Sequence, residues 1–495
     1  MNSSKSSPKR ANKISFKPIT PFELFYQLTF MSAMASAGIT RSKLFELAEQ
    51  CPSPAAQYFA AVNTLVDEIR LDYPDACRRV GLSAKSENIK SFLLRLSDAL
   101  RSGEPMPEFL EREAEATGED YQNRYERNLE GLKQWSNAFS SIVISVALIV
   151  IIQVISSMIS SLNQTMMLGL VSSGVMMAGF GLWIIRASAP PEIMTVSPSK
   201  GSAEQRKAFQ LFKLIAPFSG IFSLLIYFIG VDLGYILMLD AVFILPIGVI
   251  SLMSDKKTNK KDEEFSTFLR SAGGTATNSG TTIKEALTKI DLSSFPTLEQ
   301  DVNRLSKRLQ ALVDPEICWD RFGNESGSKL ISEVVGIFYG AIKIGGDPER
   351  VGYLCSLFTA KTAQLRAKRR LNAGTFAGLS TVMHAVVAGL MVFVLSIVVN
   401  FANVVHELMP TGDAAADAQG NLNMGMATFT ASDLHFLTLA TMLMIIIMGL
   451  ISALAVIVSD GGYKFKMAFY LSLILFISGI CMIFVPPVVN NILTI

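Results

Sequence analysis

A chain of 495 residues in which 50% are hydrophobic and 17% charged is too apolar for an ordinary soluble protein and too polar to lie wholly in a bilayer. Its 44 basic and 42 acidic residues leave a net charge of +2, which excludes a strongly basic nucleic-acid binder. The charges are unevenly distributed, and their placement carries most of the information.

In chain order, residues 1–21 hold Lys5, Lys9, Arg10, Lys13 and Lys17 without an acid or an apolar core. They read as a disordered basic arm, either in weak contact with anionic lipid or simply solvated, and not as a signal peptide. Residues 22–135 form a first helical block, where the spacing of Phe22, Phe25, Tyr26 and Phe30 puts aromatics on one helical stripe. Gly38 suits the left-handed stop of that helix and Thr40 the cap of the next. In Gly103-Glu104-Pro105 the glycine ends a helix, the acid favours the positive end of the following one, and proline fits its first turn. That following helix carries Glu108, Glu111, Glu113, Glu115, Glu119 and Asp120 towards the membrane, as a solvated face or as a docking surface for a basic partner.

Residues 136–253 hold four apolar runs (136–161, 165–186, 210–230 and 233–253), and 374–495 hold three more (374–402, 434–458 and 467–488). Each is near the ~20 residues needed to cross a ~30 Å hydrocarbon core. Between the sets lies a second polar block, 254–373. The connections around Asn163 and Asp232, the loop 403–433 and the tail after Pro486 contain no Lys or Arg. The alternate connections carry Arg186, Lys200, Arg206, Lys207, the charges from Lys256 to Arg370, Lys464 and Lys466. The positive-inside bias therefore places the N-terminus and both polar blocks in the cytoplasm and the C-terminus outside.

The two blocks read as copies displaced by about 243 residues. Gly280 answers Gly38, and Gly345-Gly346-Asp347-Pro348 answers Gly103-Glu104-Pro105. The helix after Pro348 carries Lys361, Arg366, Lys368, Arg369 and Arg370 just inside a span, a cluster explained by orientation and anionic lipid. With almost no strand alternation, the expected fold is all-α: a polytopic membrane protein with two repeated cytoplasmic helical bundles.

Sites for chemistry are scarce. The five cysteines make no CxxC, and Cys51, Cys77, Cys318, Cys355 and Cys481 read as buried thiols. Gly323-Asn324-Glu325-Ser326-Gly327 lacks the lysine of a phosphate loop, and His384, His406 and His435 fall in or beyond the membrane. No cofactor, metal or catalytic role is expected. Asp240 is either an ion site or an acid facing neighbouring helices, and His384 is either a titrating group or a partner in a helix-to-helix hydrogen bond. Gly174 with Ala178, and Gly449 with Ala453, allow close helix approach, while Pro246, Pro486 and Pro487 are expected to bend or end helices.

Turns like Ala37-Gly38-Ile39 in tandem helical blocks, each feeding a span, resemble the F-type platform proteins of type II secretion and type IV pilus machines. Phe92–Ser97, Ser102–Pro105 and Phe109–Glu115 are similar to the archaeal branch of that family, as are Ile344–Glu349 and Met383-His384. The resemblance implies a non-enzymatic membrane platform that docks a hexameric secretion ATPase and passes its movement to prepilin-like filament subunits, as a homodimer. It points to the archaellum first and to an adhesive pilus as the alternative. The helical surfaces around Glu108–Asp120 and Lys361–Arg370 become the candidate ATPase contacts. A secondary transporter is the more distant rival, but its repeats would lie in the membrane.

Overall fold

The protein was described from a computed structural model covering residues 16–156, 164–408 and 431–493. The basic arm up to residue 15, the turn around Asn163 and residues 409–430 of the 403–433 loop lie outside these. The described chain forms sixteen α-helices. The first polar block gives α1 (Pro21–Ala35), α2 (Arg41–Gln50), α3 (Ala56–Ile69), α4 (Tyr73–Ser83) and α5 (Glu87–Ser102), then α6 (Met106–Ser156). α7 (Gln164–Ser188), α8 (Ala203–Ile229) and α9 (Leu233–Ser279) follow. The second block continues with α10 (Ile283–Lys289), α11 (Glu299–Gln310), α12 (Pro315–Ser326), α13 (Lys329–Lys343) and α14 (Pro348–Leu408). α15 (Ala431–Asp460) and α16 (Met467–Leu493) complete the set. Among the described residues the backbone pairs in extended form only at the bridge Thr195–Ser328.

Seven helices (α6, α7, α8, α9, α14, α15 and α16) are long and apolar enough to cross a membrane. The chain is a multi-pass membrane protein, and side chains such as Phe228, Met176 and Leu214 stand exposed on its apolar spans. Pro246 lies inside α9 and Pro486 and Pro487 inside α16, so none of them ends a helix. Of the two outcomes expected from sequence, bending or ending a helix, this leaves bending: in lipid a helix is kept intact because its remaining backbone groups have no water to turn to.

The described chain divides into two compact units. The first contains the residues up to Arg124 together with Glu264–Asp320 and Glu333–Thr362. It is a set of short helices with sharp glycine turns. Thr20 and Glu23 form a reciprocal capping box at the start of α1. Beyond it, Leu24 to Ala35 are all buried. Phe25 stacks on Tyr121 and meets Phe358 with ring centroids 4.7 Å apart, which is where the aromatic stripe is used. Buried amides are satisfied across helices: Gln27 donates to the Ala48 carbonyl at 2.9 Å and Asn63 to that of Phe45 at 3.1 Å.

Helix starts recur in the two blocks at a spacing of 242: Arg41 and Ile283, Tyr73 and Pro315, Glu87 and Lys329, Met106 and Pro348. The left-handed residues keep the same spacing, as Gly38 and Gly280, Gly103 and Gly345, and the non-glycine pair Arg70 and Leu312. Cys51, Cys77, Cys318 and Cys355 are buried thiols outside any disulfide, and burial pushes the Cys77 thiol up to about 12.

The second unit contains Tyr125–Glu263, Arg321–Ser332 and the chain from Ala363 onward. Small residues let its apolar helices approach closely. A Cβ on Gly174 would meet Val146 at 2.7 Å, and one on Gly248 would meet the Phe469 backbone at 2.4 Å. His384 hydrogen-bonds Ser478 at 2.8 Å, packed against Gly449. Asp240 accepts from Ser219 and Ser223 at 2.7 and 2.6 Å. Both polar groups thus find the helix-to-helix partners that burial demands.

Candidate functional site

The densest polar feature of the second unit is a buried charge node outside the apolar runs. α14 supplies Arg366 and Arg369, three residues apart and therefore on one helical face. They are 1% and 2% exposed. Arg366 donates through Nε to Glu192 at 2.7 Å and through Nη1 to Asp262 of α9 at 3.1 Å. Ser328 donates to the other oxygen of Asp262, and Tyr125 donates to Glu192 at 3.2 Å. Burial pushes the Asp262 carboxyl up, while the Arg366 guanidinium and the Ser328 hydroxyl pull it back.

Arg369 donates to three carbonyls: Ser459 at 2.9 Å, Val458 at 3.1 Å and Pro190 at 3.0 Å. Two of these belong to the last turn of α15, where a cation satisfies free carbonyls and opposes the negative end of the helix dipole. Gly461, with φ of +70°, follows directly, and a Cβ there would lie 2.4 Å from the Arg369 guanidinium carbon. Beside it Lys466 bridges Asp255 and Asp460, each at 3.0 Å. The Tyr463 amide donates to Asp255 at 3.1 Å and its hydroxyl to the Gln205 carbonyl at 2.9 Å. The Gln205 side chain then reaches the Gly327 carbonyl at 3.1 Å. The node ties together α9, α14, α15, the segment between α7 and α8, and the turn before α16. Its bonds run from helix to helix and hold these elements in register.

The residues singled out from sequence fall into three groups. Arg366 and Arg369 are corrected from surface to interior, because each guanidinium is consumed by buried acceptors. Glu111 pairs with Arg350 at 2.8 Å and Glu113 with Arg95 at 2.6 Å, while Lys368 pairs with Glu126 at 2.6 Å and Arg370 with Glu263 at 3.3 Å. Glu108, Glu115 and Glu119 are exposed and Lys361 is half-buried. The turn residues do what their type suggests. Gly38, Gly103, Gly280 and Gly345 have φ of +67°, +76°, +58° and +99°. Glu104 pairs with Arg112, and Pro105 immediately precedes α6. Gly346 donates to the Ala341 carbonyl, Asp347 accepts from Thr277 at 2.9 Å, and Pro348 opens α14. Sequence reasoning missed the acids of the node, Glu192, Asp255, Asp262 and Asp460. Their signal was position: each follows an apolar run on the side where the basic residues gather.

The seven apolar helices and the glycine-punctuated helical unit define a class no finer than a multi-pass, all-α membrane protein. Residues 28–154 match the family model for the type II secretion system (T2SS), protein F. More particularly, the chain is similar to Flagella accessory protein J of Methanocaldococcus jannaschii, with 26% identity over 450 residues, covering 87% of this chain and 77% of that protein. It is also similar to Flagella accessory protein J of Methanococcus voltae, with 22% identity over 430 residues, covering 84% and 75%. No solved structure matches it. The resemblance to the archaellum branch of the platform proteins is thereby borne out.

Proposed function

We propose that this platform docks a hexameric secretion ATPase through its polar helices and passes ATP-driven displacement to filament subunits in the membrane. The observation that carries the reading is the similarity to Flagella accessory protein J over most of both chains. Helix continuity supports the transmission step. α6 and α14 run for 51 and 61 residues from polar sequence into an apolar run, and α9 for 47 residues from an apolar run into polar sequence, each without a break. At 1.5 Å per residue the longest is about 90 Å, enough to carry a push from cytoplasm to bilayer. The constant spacing of helix starts supports two duplicated cytoplasmic bundles at 22–135 and 254–373, each feeding such a helix. The platform works without a nucleotide site of its own, as a homodimer whose basic flanks contact anionic lipid.

Glu108, Glu115 and Glu119 form the ATPase contact in this reading, since Glu111 and Glu113 are already engaged by arginines. Converting those three to Lys is expected to weaken ATPase binding by at least about tenfold, or ~1.4 kcal/mol. The melting temperature of the detergent-solubilised platform should not move, because the side chains are exposed. Unchanged affinity would remove this face from the contact.

A further inference from the structure

The second unit contains a groove of about 1050 Å³ formed by the end of α8, the start of α9, and α15 and α16. Its walls are apolar and open: Phe228 is 82% and Leu443 47% exposed. Two features make it more than a lipid-facing crevice. Met482 and Ile483 line it together with Pro486 and Pro487. Proline has no amide hydrogen, so the carbonyls of Met482 and Ile483 have no donor four residues on. Backbone acceptors at membrane depth require a donor from somewhere. In addition, exposed Asp232 sits at the edge of the groove, and no Lys or Arg lines it. A phosphate headgroup would meet the Asp232 carboxylate there, and His435 is the one basic side chain among these lining residues.

We propose that this groove seats an apolar helix of a filament subunit, one carrying a Lys or Arg just past the end of its apolar run, beside Asp232. The identity of the partner rests on the proposed function; its chemistry rests on the groove. The volume fits, since a helix about 11 Å across encloses roughly 500 Å³ per turn, so the groove takes about two turns. The basic residue answers Asp232, and polar side chains of the entering helix supply donors to the wall of α16.

The test places a photo-crosslinking amino acid at Leu443 in the full-length platform, in cells that build filaments. The control carries it at Leu214, which is 71% exposed on α8 and outside the groove. The expected result is an adduct with the filament subunit at Leu443, several-fold above the control. Asp232 also precedes the first residue of α9, so its role there must be separated from its charge. Asn caps a helix start as well as Asp does. Asp232→Asn should therefore cut the adduct about fivefold at unchanged platform level, and Asp232→Glu should restore it. Adducts with lipid or a second platform only, equal yields at Leu214, or no effect of Asp232→Asn would each overturn the groove assignment. In all of those cases ATPase co-purification would persist. Its absence from the unsubstituted platform would instead overturn the platform reading, and this inference with it.

Discussion

Replacing Arg366 with Met is expected to destabilise the protein by about 3–5 kcal/mol, the cost of leaving buried charge without its partner. That is a large part of the ~5–15 kcal/mol that holds a typical domain together. Glu192 and Asp262 both accept from this guanidinium, and Asp262 is 2% exposed, so water cannot take over the role. Arg366→Lys should fall between the two, because an ammonium keeps the charge but not the forked geometry. The triple variant Arg366→Met, Asp262→Leu, Glu192→Gln should recover much of the loss, since an apolar replacement of a whole ion cluster is often close to neutral. The pH dependence gives a second readout. Burial already raises the Asp262 carboxyl, and loss of Arg366 raises it further. The folded variant then binds a proton that the unfolded chain has released, so its stability is highest at acid pH and falls as pH rises through the folded-state value. Thermal unfolding in detergent across pH measures both effects, and an unchanged melting curve for Arg366→Met would remove the node from the account.

The adjacent glycines of α9 should respond in opposite directions to alanine. A Cβ on Gly273 would lie 2.2 Å from the Pro348 carbonyl oxygen and 3.1 Å from the Glu349 Cα. Gly352 of α14 faces back, its Cβ position 2.6 Å from the Leu269 carbonyl oxygen and 3.4 Å from the Gly273 Cα. The two helices thus cross backbone to backbone, and Thr277 closes the crossing with bonds to Asp347 at 2.9 Å and from the Glu349 amide at 3.1 Å. Gly273→Ala must force them apart, at about 1–3 kcal/mol or more. At Gly274 nothing stands within 4 Å of the new methyl group. Gly274→Ala should stabilise by about 0.5–1 kcal/mol, because alanine suits a helix interior better than glycine. Equal shifts in the same direction would show that the crossing is not as tight as described.

The spans and the turn chemistry were legible because both are local. An apolar run announces its own membrane crossing, and Gly38, Gly103, Gly280 and Gly345 are needed for a backbone conformation that glycine adopts most easily. The node was not legible in the same way. Arg366 lies 174 residues from Glu192 and 104 from Asp262 in sequence. A basic residue beside a span already has a sufficient explanation in topology, so nothing local demanded a partner. One periodic clue was present: Cys355, Thr359, Thr362, Arg366 and Arg369 recur at steps of four and three and are all buried. Lys361 and Lys368 lie off that stripe. For the prolines of α16 the sequence left bending and ending a helix both open. Their local preference is to end a helix, but the bilayer leaves the remaining backbone no better state.

The most direct test of the platform account is the side of the membrane on which its polar unit lies. Single cysteines at Glu115 and at Val231 can be probed with a membrane-impermeant maleimide, since four of the five native thiols are buried. The account predicts that Glu115→Cys stays unlabelled in intact cells and reacts once they are opened, while Val231→Cys reacts in intact cells. Labelling of Glu115→Cys from outside would put the polar helices beyond the reach of any cytoplasmic ATPase and contradict it.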